Sequence, residues 1–310
     1  MSDVAWIFPG QGSQEPGMGR DVAEAFPAAR DVFERADAVL GYALSRLCFE
    51  GPDEALRETE RQQPAIFVTS LAILEAARSA HALPPARFVA GHSLGEYTAL
   101  VAAGALAFDD GLRLVQTRGR LMQEAGAANP GAMAAIIGLD RAAVERVCAE
   151  TGAELCNENA PSQIVIGGPP DVVERAIARA KEAGAQRAVP LPVSGAFHTS
   201  LMRPAAEGMA RALEACAFRD PAIPVISNVT AKPLTKAEEL RDELVTQLTS
   251  PVRWVDCVRV MAEGGARVFY EIGPGRVLAG LVRRIAPEAT VVSLNGAAAL
   301  RTASEANERV

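Results

Sequence analysis

Residues 87–100 read RFVAGHSLGEYTAL: a short apolar run, then Gly91-His92-Ser93-Leu94-Gly95, then a helix-like stretch. A Gly-x-Ser-x-Gly core between a strand and a helix describes a sharp elbow. Flanking glycines permit the tight backbone, and the serine sits at the helix N-terminus, where the first amides lack intrahelical partners and favour negative charge. Ser93 is therefore a candidate nucleophile; a small polar residue in a structural glycine-rich turn is the alternative.

The elbow belongs to an alternating pattern. The strand VAWIF (4–8) ends at the turn signal Pro9-Gly10. Helical stretches follow, of which QQPAIFVTSLAILEAARSAHAL is the longest. RFVAG (87–91) reads as a second buried strand, and residues 95–125 as two helices parted near Ala107. This order predicts an α/β fold with a doubly wound, mostly parallel sheet. Over about 131–192 the rhythm becomes βαββαβ, the split-βαβ, ferredoxin-like pattern. The expected division is a large α/β body from 1–128 and 196–300, with a small inserted ferredoxin-like subdomain at 129–195. Residues 301–310 have no apolar face beyond Leu300 and are expected to fray.

Composition narrows the function. The chain has 310 residues, 49% apolar and 22% charged, as in an ordinary globular protein. No apolar run reaches the roughly 20 residues needed to span a bilayer. Acidic Asp3 stands where a signal peptide would be basic, so a cytoplasmic protein is expected. The five cysteines are scattered without a Cys-x-x-Cys, which indicates neither a disulfide framework nor a zinc site. A formal net charge of −7 argues against nucleic acid as the main partner. A monomer is expected.

A serine nucleophile needs a base, most often histidine, and the chain has three. His81 ends a long helix, the place of a solvated or capping residue. His92 adjoins Ser93, but neighbouring side chains on extended backbone diverge. His198, in VSGAFHTSLM, lies in a loop between a strand and a helix, which suits a functional residue. Elimination selects His198. No acid can be assigned as a third member by spacing; a backbone carbonyl accepting the second imidazole proton is the alternative.

The stretch GLRLVQTRGRLMQEA places three arginines on one helix. At about 100° per residue, Arg113 and Arg120 point together, away from the apolar face. Arg118 instead projects among Leu114, Val115, Leu121 and Met122. It is either a snorkelling or core-paired arginine, or a buried guanidinium that holds a substrate carboxylate by two parallel hydrogen bonds. Malonyl is the smallest common acyl group with a free carboxylate.

FPGQGSQ at 8–14, GHSLGEYTAL at 91–100, QTRGRLM at 116–122, GAFHTSLMRPAA at 195–206 and EIGPGRVLAGL at 271–281 stand in the order and spacing of one family. From about residue 4 to 295 the chain closely resembles the malonyl-CoA:acyl carrier protein transacylases of type II fatty acid synthesis. The resemblance implies an α/β-hydrolase-like core with a ferredoxin-like subdomain. It implies Ser93 as nucleophile, His198 as base and Arg118 as the clamp on the malonyl carboxylate. The backbone amides of Gln11 and Leu94 would form the oxyanion hole, and the main-chain carbonyl of Gln247 would orient the histidine. His92 would lie beside the nucleophile and Asn159 in a substrate-lining segment. Leu94 and a bulky Phe197 resemble the malonyl-selecting pattern of related acyltransferases. The implied partners are malonyl-CoA and holo-acyl carrier protein, with no metal or organic cofactor. Carrier proteins of this family are acidic, so a basic docking patch is needed, for which Arg187, Arg283 and Arg284 are candidates. Three rivals remain: a serine hydrolase, a discrete acyltransferase loading a polyketide synthase in trans, and an inactive interaction subunit.

Overall fold

The computed structural model describes residues 2–307. Among them, ten strands form two sheets. β1 (Val4–Phe8), β2 (Phe88–Gly91), β7 (Val225–Ile226), β8 (Pro233–Leu234), β9 (Val268–Ile272) and β10 (Thr290–Leu294) build the larger one, in the order β10-β9-β1-β2-β7-β8. The first five in that order run parallel, and β8 closes the edge antiparallel to β7. Every residue of β1 and β2 is buried, as expected of central strands covered on both faces. The expected strand at IPVISN contributes only Val225 and Ile226 to the ladder.

β3 (Ala132–Ile137), β4 (Glu154–Ala160), β5 (Gln163–Gly168) and β6 (Arg187–Pro190) form the second sheet, antiparallel throughout, in the order β4-β5-β3-β6. Helices Arg141–Thr151 and Pro170–Glu182 pack on it, so the chain order is βαββαβ. It has its own apolar cluster around Ile136, Val144, Ile166 and Val173. The small sheet meets the large body where the N–H of Val252, in the loop before helix Trp254–Glu263, donates to the Cys156 carbonyl and the Glu158 N–H donates to the Val252 carbonyl, both 2.9 Å. The molecule is thus a mixed α/β protein with one mostly parallel and one antiparallel sheet.

Two long helices position the site. Thr59–Ser79 begins three residues before the expected start and carries Pro64 inside it. Phe108–Ala128 lies against it, because Gly119 leaves room: a Cβ there would stand 2.8 Å from the Thr59 carbonyl oxygen. No helix among the described residues is long and apolar enough to cross a membrane.

The C-terminal expectation needs correction. Residues 301–307 are not frayed but continue a helix, Ala297–Asn307; 308–310 lie outside the described residues. Leu300 is fully buried, and the Ala297 N–H donates to the Asp21 carboxylate at 2.7 Å. Ser304 Oγ and Asn307 Nδ2 donate to the carbonyls of Ala80 and His81, at 2.6 and 3.1 Å. These polar anchors onto a helix C-terminus leave no trace in an apolar pattern.

Candidate active site

Ser93 stands between β2 and helix Leu94–Ala102 with φ 52° and ψ −104°, a conformation that costs a non-glycine residue about 1–3 kcal/mol. The flanking glycines make it possible. A Cβ on Gly91 would fall 1.8 Å from the Gly95 carbonyl carbon, and one on Gly95 would fall 2.2 Å from the Phe8 carbonyl oxygen. β1 and β2 are in register at Phe8 and Gly91, so the loop leaving β1 passes over the elbow. Gly10 touches it so closely that a Cβ would lie 2.4 Å from the His92 carbonyl oxygen. Gln11 follows at once, its side chain held by Gln62 at 2.6 Å.

His198, itself at φ 63°, faces the serine: Ser93 Oγ is 2.8 Å from His198 Nε2. Its Nδ1 lies 2.9 Å from the Gln247 carbonyl and 3.2 Å from the Ser250 carbonyl. Carbonyls only accept, so Nδ1 carries the proton and Nε2 presents its lone pair to the serine hydroxyl. Two main-chain oxygens thus stand where many serine enzymes place a carboxylate. Burial, followed by the charge of Arg118, holds the imidazole well below its ordinary range, at about 3. It is neutral at physiological pH.

Arg118 is completely buried. Its Nη1 donates to Gln63 Oε1 at 2.7 Å, and its Nη2 to Gln247 Oε1 at 2.9 Å and to Ser93 Oγ at 3.0 Å. The Tyr97 ring centroid is 5.4 Å away. Arg118 Nε has no hydrogen-bond partner, and among the described residues no carboxylate forms an ion pair with this guanidinium. A cation taken out of water without a counter-charge is costly. Its hydrogen-bond partners are neutral amides and a hydroxyl beside an aromatic ring, and buried Glu96 acts on it only through space, across the Gln247 amide; no carboxylate among the described residues pairs with it directly.

The structure brings Ser93, His198, Arg118 and Gln247 together through direct hydrogen bonds. Leu94 opens the elbow helix, and Phe197, 7% exposed, precedes the histidine. His92 is turned away from Ser93: its Nε2 lies 2.7 Å from Asn159 Oδ1 in β4 and its ring packs 5.5 Å from Trp254. Arg187 is exposed on β6, while Arg283 and Arg284 are exposed on helix Val277–Ile285. Arg284 donates to the Gln163 side chain and, at 3.1 Å, to the Pro161 carbonyl, so it ties the helix to the small sheet. Arg113 and Arg120 point outward, near Asp110 at 3.8 Å and Glu124 at 2.7 Å.

Four participants escaped the sequence reading: Gln63, Glu96, Tyr97 and Asn228. Glu96 had a usable signal, being an acid in the otherwise apolar run LGEYTAL. Its carboxyl is fully buried, held by the Asn228 N–H at 3.1 Å and by the Gln247 side-chain amide. Burial and the neighbouring Glu243 push its pKa well above the usual carboxylate range. Gln63, Tyr97 and Asn228 carry no local pattern that would single them out.

An α/β fold with a serine on a strand–turn–helix elbow, 2.8 Å from a histidine of another loop and beside a buried cation, fits acyl transfer through a serine. The model of the acyl transferase domain family matches residues 5–299. The chain belongs to that family and, within it, to the malonyl CoA-acyl carrier protein transacylases. It is 48% identical over 290 residues to the transacylase of that name from Bacillus subtilis, covering 92% of this chain and 91% of the relative. With the Escherichia coli K12 transacylase it shares 45% identity over 309 residues, 98% of this chain and all of the other. A malonyl-transacylase solved in complex with a type II polyketide synthase acyl carrier protein superposes with a TM-score of 0.95 at 45% identity. That superposition covers 99% of this chain and 100% of the other.

Proposed function

We propose that this chain transfers a malonyl group from malonyl-CoA to the phosphopantetheine thiol of holo-acyl carrier protein, supplying the extender for fatty acid elongation. The observation that carries the choice of acyl group is Arg118, a buried guanidinium without a carboxylate partner, 3.0 Å from Ser93 Oγ. We read the body, 1–128 and 196–300, as an α/β-hydrolase-like core. Residues 129–195 are read as a ferredoxin-like subdomain, on the strength of the antiparallel order β4-β5-β3-β6.

In the first half-reaction the malonyl carboxylate pairs with Arg118. Ser93 Oγ attacks the thioester carbonyl as His198 Nε2 takes its proton. The amides of Gln11 and Leu94 receive the oxyanion, each such donor contributing about 3–4 kcal/mol. Collapse breaks the C–S bond, and coenzyme A leaves with the proton from His198. The carrier-protein thiol then gives its proton to His198 and attacks the malonyl-serine ester, and Ser93 leaves with that proton. Atoms and charge balance with these groups alone, so no cofactor is invoked, and the kinetics are ping-pong. The Gln247 carbonyl holds the imidazole in the tautomer both halves require. Asn159, on β4 of the small sheet, would line the acyl site, and His92 in the elbow would support it from behind through its 2.7 Å contact with Asn159 Oδ1. Arg187 and Arg283 are the proposed contacts to the acidic carrier protein; Arg284 is already engaged with residues 161–163.

The pH dependence follows from His198. A depressed pKa keeps the imidazole unprotonated, and so able to act as base, at pH values where an ordinary histidine is already charged. Single-turnover acylation by malonyl-CoA is therefore expected to stay level from pH 8 down to about 5, without the fall near 6.5 of an unperturbed histidine. Stopped-flow release of coenzyme A across that range measures it. A limb centred near 6.5 would place the base in a solvated setting.

The deciding assay presents malonyl-, methylmalonyl- and acetyl-CoA with and without a holo-carrier protein. A stoichiometric burst with malonyl-CoA, followed by carrier-dependent turnover, is expected. Methylmalonyl-CoA should be slower by about 10- to 200-fold, because Phe197 crowds an α-branch. Many-turnover release of free malonate that ignores the carrier protein would make the chain a hydrolase. A second reading, a discrete acyltransferase loading a polyketide synthase in trans, draws on the polyketide carrier protein bound to the solved relative. Faster transfer to a polyketide than to a fatty-acid carrier protein would favour it.

A further inference from the structure

The backbone N–H of Ser93 has no place in either neighbouring element. At φ 52° it has left the β2 ladder, and it precedes the first turn of helix Leu94–Ala102. Asn228, fully buried in the loop after β7, meets it. Asn228 Oδ1 accepts from the Ser93 N–H at 2.7 Å, and Asn228 Nδ2 donates to the Gly91 carbonyl at 2.7 Å. One primary amide thus spans the elbow from the residue before His92 to the residue after it.

The amide is itself held. Its own backbone N–H donates to Glu96 Oε1 at 3.1 Å, and its carbonyl accepts from the Arg253 N–H at 2.9 Å. Glu243 grips the residues on either side: Ser227 Oγ donates to its Oε2 at 2.7 Å and the Val229 N–H to its Oε1 at 2.9 Å. Two buried carboxyl groups therefore fix a loop whose inward side chain is an asparagine.

We propose that Asn228 is a positioning residue for the nucleophile, its side-chain amide clipping Ser93 N–H to Gly91 C=O so that Ser93 Oγ stays aimed at His198 Nε2. The clip also occupies the serine's own amide, which leaves the next one, Leu94 N–H, as the donor facing the reacting carbonyl. Only a neutral amide of this length serves both ends. A carboxylate would accept from Ser93 N–H but meet the Gly91 oxygen as a second acceptor. The inference rests on reading Ser93 as the nucleophile.

The test is single-turnover malonylation of Asn228→Ala and Asn228→Asp, with folded protein quantified by circular dichroism and thermal midpoint. At saturating malonyl-CoA the acylation rate per folded molecule is expected to fall about 100-fold in Asn228→Ala, as for a displaced reacting group. A smaller fall is expected in Asn228→Asp, which keeps one of the two bonds. The half-saturating malonyl-CoA concentration should not move, since Asn228 does not touch Arg118. Reaction of Ser93 with a neutral organophosphonate, which needs no carboxylate clamp, should slow in parallel. If Asn228→Ala does not fold, Asn228→Asp decides: slowed acylation and phosphonylation sustain the proposal. Wild-type rates per folded molecule in the variants, or losses explained wholly by the unfolded fraction, overturn it. Absence of malonyl label on Ser93 in the unaltered protein would instead remove the reading beneath it.

Discussion

Arg118→Ala is expected to reduce malonyl transfer by on the order of 10²–10³-fold, while acetyl transfer falls far less or rises. The guanidinium is fully buried and its hydrogen bonds go to neutral groups. A malonyl carboxylate entering without it would be left desolvated and unpaired, a loss of about 2–5 kcal/mol. Acetyl has no carboxylate to strand. Removing Arg118 also frees the Ser93 oxygen of a donor at 3.0 Å and lifts one of the causes that hold His198 down. Both changes help an acyl group that never needed the clamp. Arg118→Lys should restore little, because a single ammonium cannot make two parallel bonds. The measurement is the ratio of kcat/KM for malonyl- and acetyl-CoA. Equal losses for both donors would make Arg118 a structural residue.

Ser93→Ala is expected to abolish the malonyl-enzyme and lower transfer to background, a loss on the order of 10⁶-fold by comparison with other activated serines. In the proposed mechanism Ser93 Oγ forms the bond to the acyl carbon, and the elbow presents it 2.8 Å from His198 Nε2. His198→Ala should cost nearly as much, and the double variant little more than either, because the two act as one unit. Mass spectrometry of the 93-containing peptide after exposure to malonyl-CoA reads the result directly. Full label in Ser93→Ala would remove this residue from the mechanism.

Much of this site was legible before any tertiary structure. Gly91, Ser93 and Gly95 specify an elbow because backbone sterics act over a few residues, and the collisions a Cβ would meet at Gly91 and Gly95 bear this out. Arg118 stood out because one helix turn compares each residue with its own apolar neighbours; it is buried as that comparison implied. His198 emerged by elimination among three histidines. Spacing alone left the base's orienting partner open between an acid and a carbonyl, since a backbone oxygen has no residue type to recognise; only the family resemblance pointed to Gln247.

What the chain determines by itself is local: the turn at Ser93, the apolar stripes, the strand-and-helix rhythm that separates two sheets. Only the assembled molecule decides that Asn228, 135 residues from Ser93, reaches its amide, or that Gln247, 154 residues on, touches both the serine and the arginine. The C-terminal helix is the same case, docked through Ser304 and Asn307 onto carbonyls more than two hundred residues away. Periodicity registers which side chains avoid water, because burial of apolar surface repeats with the backbone. A buried polar side chain takes its meaning from one partner, and strand order and packing choose that partner.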